Sequence, residues 1–384
     1  MLSTLPATQR SEAARFILRL ACFLPLVFAP AIGNWILETS VFARWEMPFV
    51  VRAADEMLQG RSVLLTPCDR PLKLALIDRL PAPKAVLVFG GSRASQISPA
   101  WFEPDSALNL AVTEGGVDDA VSLFQKCLEV HKLPSLIVLE LDAALVRKRL
   151  PRNWAASAGY FNRALARYGQ VADQRSGRLL SLDRIQAMLR FFAGTQWRAV
   201  RADDPRYHLF PDGTLCVPID QRNRAPSEID AFVTGLLGNI DADYLRWRTS
   251  SPGEFEKSLL RHFLDDLQSH HIRVVVFLAP VHPIAYEFYR KRGGYDESWI
   301  RAEMASRGIT VAGAYSPFVT GATSGDFYDD VHPRAPLVYR LLREAEVVGP
   351  LPQVDRTAAY GVGAPRPAHS HRPGTHDAMT RLSL

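Results

Sequence analysis

Cysteine is scarce in this sequence of 384 residues: it occurs four times, and never in a C-x-x-C pair. No two histidines stand at the spacing that metal ligands need. Because structural zinc sites and haem attachment sites require such groupings, the sequence argues against both and predicts no metal or other cofactor. A single disulfide stays open among Cys22, Cys68, Cys127 and Cys216.

Dense clusters of positive charge are lacking as well. The net charge is +5, and the arginines and lysines are scattered rather than gathered into a block that could follow a phosphate backbone. Nucleic-acid-binding proteins concentrate basic residues on one face or along one helix, so nucleic acid is not expected as a partner. The hydrophobic share of 47% and the charged share of 22% are typical of a globular protein.

One long uncharged run is present near the start, at residues 20–37, after Arg10, Arg15 and Arg19. A helix needs about 20 apolar residues to cross a bilayer, and the positive-inside rule keeps the arginines in the cytoplasm. We therefore expect residues 1–19 to be cytoplasmic and residues 20–37 to form a single transmembrane anchor in a bacterial inner membrane. The main part of the chain would then lie in the periplasm.

Two alternatives stay open for this run. Small residues at Ala29 and Ala31 fit the cleavage site of a secretory signal peptide, which would also place the main part outside the cytoplasm. A buried core helix is the other alternative, although Pro25 and Pro30 would interrupt it.

Short apolar runs recur through the middle of the chain, and each ends in a turn signal. Their hydrophobicity is continuous rather than alternating, which is typical of parallel strands covered on both faces. Helical patterns lie between them, and a last helix is expected at 333–347. The sequence therefore predicts an α/β protein, a three-layer α/β/α sandwich with a mostly parallel, flavodoxin-like sheet. The five predicted strands lie within 84–90, 107–112, 135–141, 272–280 and 308–315.

Residues 84–348 are expected to form this domain, preceded by a linker or packing segment at 38–83. A long insertion at 143–253 interrupts the alternation of strands and helices. It contains helical patterns at 155–168, 179–192 and 227–247, and a hairpin that turns at Asp212 and Gly213. Residues 349–384 are rich in Pro, Gly, Ala and His, and their composition predicts a disordered tail.

A serine stands where the first strand is expected to end, in the stretch FGGSRAS. Gly90 and Gly91 allow a sharp turn and the close approach of a substrate. Ser92 then lies at the start of a short helix, where free backbone N–H groups could bind an anion. The alternative is that Ser92 only caps this helix.

The stretch GDFYDDVHPRAP near the end of the chain offers a partner for that serine. His332 precedes Pro333, which keeps its backbone out of the helical region and fixes it at the rim of the last helix. Asp329 can fold back onto the imidazole, fix its tautomer and leave the other nitrogen free as a base. A serine hydroxyl needs such a base before it becomes a nucleophile.

This stretch has two other interpretations, a metal site and a solvated loop. Its aspartates and His332 do not have the spacing of a calcium-binding loop. A solvated loop whose acidic residues cap a helix is possible from the residues alone. The catalytic interpretation is favoured because a serine turn ends the first predicted strand and precedes the histidine stretch in the chain.

The Gly-x-Ser turn after the first strand and the Asp-x-x-His before the last helix resemble the first and fifth blocks of the SGNH (GDSL-like) hydrolase superfamily. The chain also resembles its membrane-anchored branch, which is linked to O-acylation of cell-envelope polysaccharides, as in alginate acetylation and teichoic-acid D-alanylation. That branch has an amino-terminal anchor and a GSSR-like turn, here GGSR. The stretch NLAVTEGGVDDA is similar to the second block of the superfamily.

The resemblance implies a catalytic triad of Ser92 as nucleophile, His332 as general base and Asp329 as its orienting partner. It places Gly91 beside the nucleophile. It also implies that the Ser92 N–H and the N–H of a glycine, either Gly115 or Gly116, bind the oxyanion.

The third block departs from the family pattern. The asparagine that normally donates to the oxyanion is replaced in LELDAA, where Asp142 stands near its position. A carboxylate has no N–H to donate, and losing one such donor costs on the order of 10²–10³ in rate. Arg93 and His282 are candidate substitutes, and His282 is expected in the substrate pocket.

Two functions are therefore expected. The first is an extracytoplasmic serine acyltransferase or esterase that acts on acyl groups, such as O-acetyl, of a cell-envelope polysaccharide. The alternative is a catalytically weak or inactive SGNH-like protein that binds glycan or assists a membrane-bound O-acyltransferase. A lipid- or peptidoglycan-directed hydrolase is a third, weaker possibility.

Overall fold

A computed structural model of the chain describes residues 40–64, 69–143, 155–170, 198–249 and 251–350. The expected anchor at 20–37, the helix expected at 179–192 and most of the expected tail lie outside these residues. Within them, no helix combines the length and apolar character that crossing a membrane requires. The anchor and the domain boundaries therefore stay predictions.

The strands of the described residues form two sheets. In chain order the strands are β1 (Ser62–Leu64), β2 (Val86–Phe89), β3 (Ala107–Asn109), β4 (Leu136–Glu140), β5 (Ala199–Val200), β6 (His208–Leu209), β7 (Leu215–Cys216), β8 (Arg273–Leu278) and β9 (Thr310–Gly313). The central sheet has the order β3-β2-β4-β8-β9, and all its pairs are parallel. Counted within this sheet, the order is the 2-1-3-4-5 of a doubly wound fold. The predicted parallel sheet is confirmed, and each of its strands lies inside one of the predicted runs.

Helices precede, follow and connect these strands. In chain order they are α1 (Ser40–Leu58), α2 (Arg70–Arg79), α3 (Val117–Glu129), α4 (Ala155–Arg167), α5 (Ile219–Arg222), α6 (Pro226–Gly238), α7 (Ala242–Thr249), α8 (Glu254–Ser269), α9 (Pro283–Arg290), α10 (Ser298–Ser306), α11 (Pro317–Thr320) and α12 (Ala335–Glu344). Single 3₁₀ turns occur at Ala94–Gln96, Pro99–Trp101 and Ser324–Asp326.

Successive residues of the central strands face opposite layers. Leu87 and Phe89 of β2 belong to an apolar cluster with residues of α3, α4 and α8. Val86 and Val88 belong to a second cluster with residues of α12 and the turn Ala94–Gln96. Both faces of the sheet are thus covered, which explains why its strands read as continuous apolar runs. This arrangement is consistent with the expected three-layer sandwich.

The second sheet is small and antiparallel, in the order β5-β1-β6-β7. Strands β6 and β7 form the predicted hairpin, in which Leu209 pairs with Leu215. The hairpin turns through Gly213, whose φ is +84°. Strands β1 and β5 were not predicted, because strands of two or three residues are too short to show an alternating pattern.

A buried lysine ties this hairpin to the central sheet. Lys73 of α2 is fully buried, and its Nζ donates to Asn109 O of β3 at 2.8 Å and to Gly213 O at 3.0 Å. The Asn109 N–H donates in turn to Asp212 O at 2.9 Å. Burial lowers the pKa of Lys73 to about 8, although Asp69 and Asp212 oppose this shift. The hairpin is therefore held beside β3, near the carboxyl edge of the sheet.

The described residues of the expected linker, 40–64 and 69–79, pack against the rest of the chain. Val50, Ala53 and Met57 of α1 pack against Leu72 and Leu76 of α2 in a third apolar cluster. The cluster also includes Val63 of β1 and Leu209 of β6, so α1 and α2 pack against the small sheet.

The prediction of one continuous helix at 227–247 is wrong. Two helices, α6 and α7, occupy this stretch instead. Asn239 Nδ2 donates back to Gly235 O at 2.9 Å. Asp241 Oδ1 accepts from Tyr244 N at 3.2 Å, at the start of the next helix. Side chains that bond to nearby backbone in this way end one helix and begin another.

The last helix begins at Ala335, two residues later than expected. Pro333 instead pairs with Phe327 in an isolated antiparallel bridge. The Tyr328 N–H donates to His332 O at 3.0 Å inside this bridge. His332 is therefore held by a tight loop before the helix rather than by its first turn.

The turn at Gly213 gives a test of how the hairpin is held. A Cβ at Gly213 would lie 2.0 Å from Asn109 O, whereas a Cβ at Gly60, with φ of +85°, would meet nothing within 4 Å. We expect Gly60→Ala to lose about 1–2 kcal/mol of unfolding free energy, the cost of a left-handed L-residue. Gly213→Ala should lose about 1–3 kcal/mol more through overpacking. Urea denaturation measures both, and equal losses would contradict the close approach at Gly213.

Candidate active site

A cavity of about 390 Å³ opens at the carboxyl ends of β2 and β4, where doubly wound sheets bind their ligands. The turn after β2, the hairpin of the small sheet, helix α7 and the loop before α12 contribute to its wall. The cavity is lined by Gly91, Ser92, Arg93, Gln96, Thr113, Glu114, Glu140, Asp142, Tyr207, Leu215, Val217, Gln221, Tyr244, Arg248, Tyr328, Asp329, Asp330, Val331 and His332. Among the predicted site residues, Gly115, Gly116 and His282 do not line it.

Ser92 follows the sharp turn that ends β2. Gly90 has a φ of +146°, and a Cβ there would lie 2.6 Å from Cβ of Glu140 on the neighbouring strand. Only glycine fits this turn, which directs Ser92 into the cavity. The Ser92 hydroxyl does not cap the following 3₁₀ turn, because it bonds His332 instead. The Ser92 N–H has no hydrogen-bond acceptor among the described residues.

His332 and Asp329 complete a continuous chain of hydrogen bonds. Ser92 Oγ lies 2.7 Å from His332 Nε2, and His332 Nδ1 lies 2.7 Å from Asp329 Oδ2. Asp329 Oδ1 accepts from the backbone N–H groups of Val331 and His332, both at 2.9 Å. The carboxylate is therefore fixed by its own loop, and it fixes the imidazole with Nε2 toward the serine.

The charges of the two residues support each other. Burial alone disfavours the imidazolium, but the carboxylate of Asp329 outweighs it, and the pKa of His332 is raised above its usual 6.5. Burial also opposes ionisation of Asp329. The charge of His332 and the hydrogen bonds from its ring and from the backbone nevertheless hold the pKa of Asp329 well below its usual range. Asp329 is thus an anion that stabilises a protonated His332.

The glycines expected to bind the oxyanion are engaged elsewhere. The Gly115 N–H donates to Val112 O at 3.0 Å, and the Gly116 N–H donates to Asp119 Oδ2 at 3.2 Å. A Cβ at Gly115 would lie 2.4 Å from Gly90 O, so the lack of a side chain at Gly115 lets its loop pack against the turn that ends β2. The structure thus corrects the expectation that either N–H is available as a donor.

Asp142 lies in a buried ion cluster rather than as a lone charge. Its carboxylate pairs with Arg93, next to Ser92, and lies 3.1 Å from Nη1 of Arg248 on α7. Asp142, Arg93 and Arg248 are all buried. Two guanidinium groups therefore offset the negative charge whose repulsion of an oxyanion was a concern. Arg248 also donates to the hydroxyl of Tyr295 at 3.2 Å.

His282 is placed behind the wall rather than in the pocket, which corrects the expected position. Its side chain is fully buried, its Nδ1 accepts from Ile284 N at 3.3 Å, and its Nε2 lies 3.2 Å from Asp230 Oδ1. Its backbone N–H donates to Asp330 O at 3.0 Å. Burial lowers the pKa of His282, although Asp230 opposes the shift. His282 thus braces the loop that carries Asp329 and His332.

Sequence reasoning missed Glu140, the last residue of β4. It is 3% exposed, lines the cavity and accepts from the Gly91 N–H at 2.8 Å. A signal was present, because Glu140 is a charged residue at the end of the otherwise apolar run LIVLEL. Such residues are rarely buried without a reason. Arg248 was missed too, because only the folded insertion brings it to Asp142.

The described residues contain no group of three or more His, Cys, Asp or Glu side chains arranged to hold a metal ion.

Comparison with protein-family models finds no matching family, and comparison with curated proteins finds no significant match.

The ion cluster predicts a large effect for Asp142. Asp142→Asn leaves two buried guanidinium groups without their anion, and breaking a buried pair costs about 3–5 kcal/mol. We therefore expect a marked loss of unfolding free energy in urea. Asp203→Asn is the control, because Asp203 pairs with Arg201 at 3.0 Å with both side chains largely exposed. It should change stability by less than about 1 kcal/mol, and an equal effect of both variants would contradict the cluster's role.

Proposed function

We propose that this chain is an SGNH-like serine acyltransferase or esterase that acts on acyl esters of a cell-envelope polysaccharide. The observation that carries the proposal is the hydrogen-bonded series from Ser92 through His332 to Asp329, with both distances at 2.7 Å. A serine, an imidazole and a carboxylate in this order define the geometry of nucleophilic acyl transfer on many unrelated folds.

In the first step, Ser92 Oγ attacks the acyl carbon and His332 Nε2 takes the hydroxyl proton. The electron pair of the carbonyl bond moves to its oxygen, and the Ser92 N–H donates a hydrogen bond to this oxyanion. The oxyanion then re-forms the carbonyl, the bond to the leaving alcohol breaks, and His332 returns the proton to that alcohol. Asp329 stabilises the imidazolium throughout without taking the proton.

In the second step, an acceptor hydroxyl gives its proton to His332 and attacks the acyl-enzyme. The bond to Ser92 breaks, and Ser92 Oγ takes the proton back from His332. If the acceptor is water, the enzyme is an esterase, and if it is a sugar hydroxyl, the enzyme is an acyltransferase. Both reactions use the same residues.

The size and the lining of the cavity favour a substrate in which a small acyl group is joined to a glycan. Its volume of about 390 Å³ lies toward the small end of ligand pockets, which span roughly 300–1,000 Å³. The hairpin and α7 bring Tyr207 and Tyr244 to its wall, and Tyr328 comes from the triad loop. Tyrosines combine an apolar face with a hydroxyl, which suits the faces and hydroxyls of a sugar. The proposed location is the periplasmic side of the inner membrane, held by the run at 20–37.

The identity of the nucleophile can be tested by covalent trapping. A fluorophosphonate probe should label the wild-type protein, because the probe needs a serine that an adjacent base activates. Ser92→Ala should abolish labelling. Ser98→Ala is a control from the same segment, since its hydroxyl only accepts from Ala100 N, and it should label normally. Labelling that survives Ser92→Ala would overturn the assignment.

The pH dependence of ester hydrolysis tests the role of Asp329. His332 must be neutral to act as base, and its raised pKa places the acidic limb of kcat/KM above pH 6.5. Asp329→Asn removes the attraction for the proton, so this limb should move to lower pH while kcat falls by about 10⁴. Asp326→Asn is the control, because the Asp326 carboxylate accepts from the N–H and hydroxyl of Thr323 and is not bonded to His332. A limb that stays in place in Asp329→Asn would contradict the assigned partner.

A second candidate function is a glycan-binding protein that assists a membrane-bound O-acyltransferase. The observation that favours it is the engagement of both glycine N–H groups, which leaves the Ser92 N–H with less help at the oxyanion. It predicts that Ser92→Ala and His332→Ala leave polymer acylation intact in the native host. Substitutions on the cavity wall, such as Tyr207→Ala, would then reduce it. Loss of acylation in both triad variants would exclude this function.

A further inference from the structure

Glu140 lies beside the proposed nucleophile and is so far without a role in the reaction. It ends β4, the strand next to β2, and its Oε2 accepts from the Gly91 N–H at 2.8 Å. The side chain is 3% exposed, yet it forms part of the cavity wall. The carboxyl group therefore contacts the residue directly before the serine whose hydroxyl is proposed to attack the acyl carbon.

The second oxygen of this carboxyl group has no partner. Glu140 Oε1 is buried and makes no hydrogen bond within the described part of the chain. Buried polar atoms are nearly always paired in folded proteins, and an ionised carboxylate can accept from several donors. This oxygen therefore has hydrogen-bonding capacity that no described residue uses, in a side chain that lines the cavity.

The surroundings favour the neutral form of this group. Burial is the main cause, and Asp142 adds to it, while Arg93, the Gly91 N–H and His332 act in the opposite direction. Together they raise the pKa of Glu140 to about 7. Arg93 does not cancel the effect of burial, because its guanidinium is paired with Asp142.

The proposed reaction needs a further hydrogen-bond donor near Ser92. The developing oxyanion has the Ser92 N–H, but the Gly115 and Gly116 N–H groups are engaged and Asp142 carries only acceptors. An ionised Glu140 would repel the oxyanion. A neutral carboxylic acid would instead donate a hydrogen bond, as a protonated aspartate does in the oxyanion hole of another enzyme.

We propose that Glu140 is a catalytic residue, which as a neutral carboxylic acid donates a hydrogen bond from Oε1 to the carbonyl oxygen of the acyl group. The proton stays on Glu140 during attack, and Oε2 keeps its bond from Gly91. This inference rests on the proposed acyl transfer by Ser92. It makes the active form one in which Glu140 is protonated while His332 is neutral.

The test compares Glu140→Gln and Glu140→Ala on p-nitrophenyl acetate from pH 5 to 9. In the wild type, kcat/KM should fall as the pH rises past about 7, because Glu140 loses its proton. The amide of Gln donates at every pH, so Glu140→Gln should lose less than tenfold at pH 6 and should lack the alkaline fall. Glu140→Ala removes the donor and should lose about 10²–10³. Glu129→Gln, an exposed residue paired with Arg163, is the control.

Equal losses in Glu140→Gln and Glu140→Ala, or an alkaline fall that persists in Glu140→Gln, would overturn the proposal. Thermal melting shows that the variants fold and gives a second readout. The pKa of Glu140 is raised from 4.5 to about 7 in the folded protein. The stability that this proton binding contributes is present in acid and is lost as the pH rises from 4.5 to about 7. Glu140→Gln should therefore melt above the wild type at pH 8, and the two should converge in acid.

Fluorophosphonate labelling separates failure of this proposal from failure of the proposed function. If wild-type Ser92 is labelled but Glu140→Gln keeps the alkaline fall, only the role of Glu140 is wrong. If wild-type Ser92 is not labelled, the acyl-transfer function fails, and the role of Glu140 fails with it.

Discussion

The hydrogen bond between Ser92 and His332 joins two segments that are 240 residues apart in the chain. It forms only if the turn after β2 and the loop before α12 meet at one edge of the central sheet. The parallel pairing of β2 with β4, and of β4 with β8, fixes the first of these positions. The bridge between Phe327 and Pro333 fixes the second, and His282 braces the loop through Asp330 O. Every chemical argument about the cavity depends on this meeting.

The cavity concentrates acidic groups beside that hydrogen bond. Glu114, Glu140, Asp142, Asp329 and Asp330 all line it, and their neighbours differ. Burial opposes ionisation of Asp329, but His332 lowers its pKa overall, and Asp142 pairs with Arg93 and Arg248. Burial raises the pKa of Asp330, and nearby Asp329 adds to the shift. The environment thus lowers the pKa of Asp329 but raises the pKa values of Glu140 and Asp330, although all three are carboxyl groups.

Several features of this arrangement could be predicted from the sequence. The five strands were located because both faces of each are apolar, and Ser92, Asp329 and His332 were found because turns and prolines mark their positions. These signals are local, so a single sequence is enough to find them. The break between α6 and α7 has a local cause too, in Asn239 and Asp241, but it was hidden within a longer apolar pattern.

Other features depend on contacts that no local pattern records. Gly115 and Gly116 were expected to donate to an oxyanion, but their N–H groups are taken by Val112 O and Asp119. Whether a backbone N–H is free depends on how its loop closes, and the composition of the loop does not decide this. The pairing of Arg248 with Asp142 likewise spans 106 residues and exists only in the folded chain.

This last pairing has a consequence for the role of the insertion. A long segment after β4 is expected to shape selectivity, since it lies over the ligand site of a doubly wound sheet. Here the same segment also supplies the guanidinium of Arg248 to the buried ion cluster beside Ser92. Arg248 Nη2 donates to the hydroxyl of Tyr244 at 2.8 Å, and Tyr244 is itself on the cavity wall. A change in the wall that moves α7 must therefore alter the field around Asp142, so the shape of the cavity wall and the charges beside Ser92 are joined through one helix.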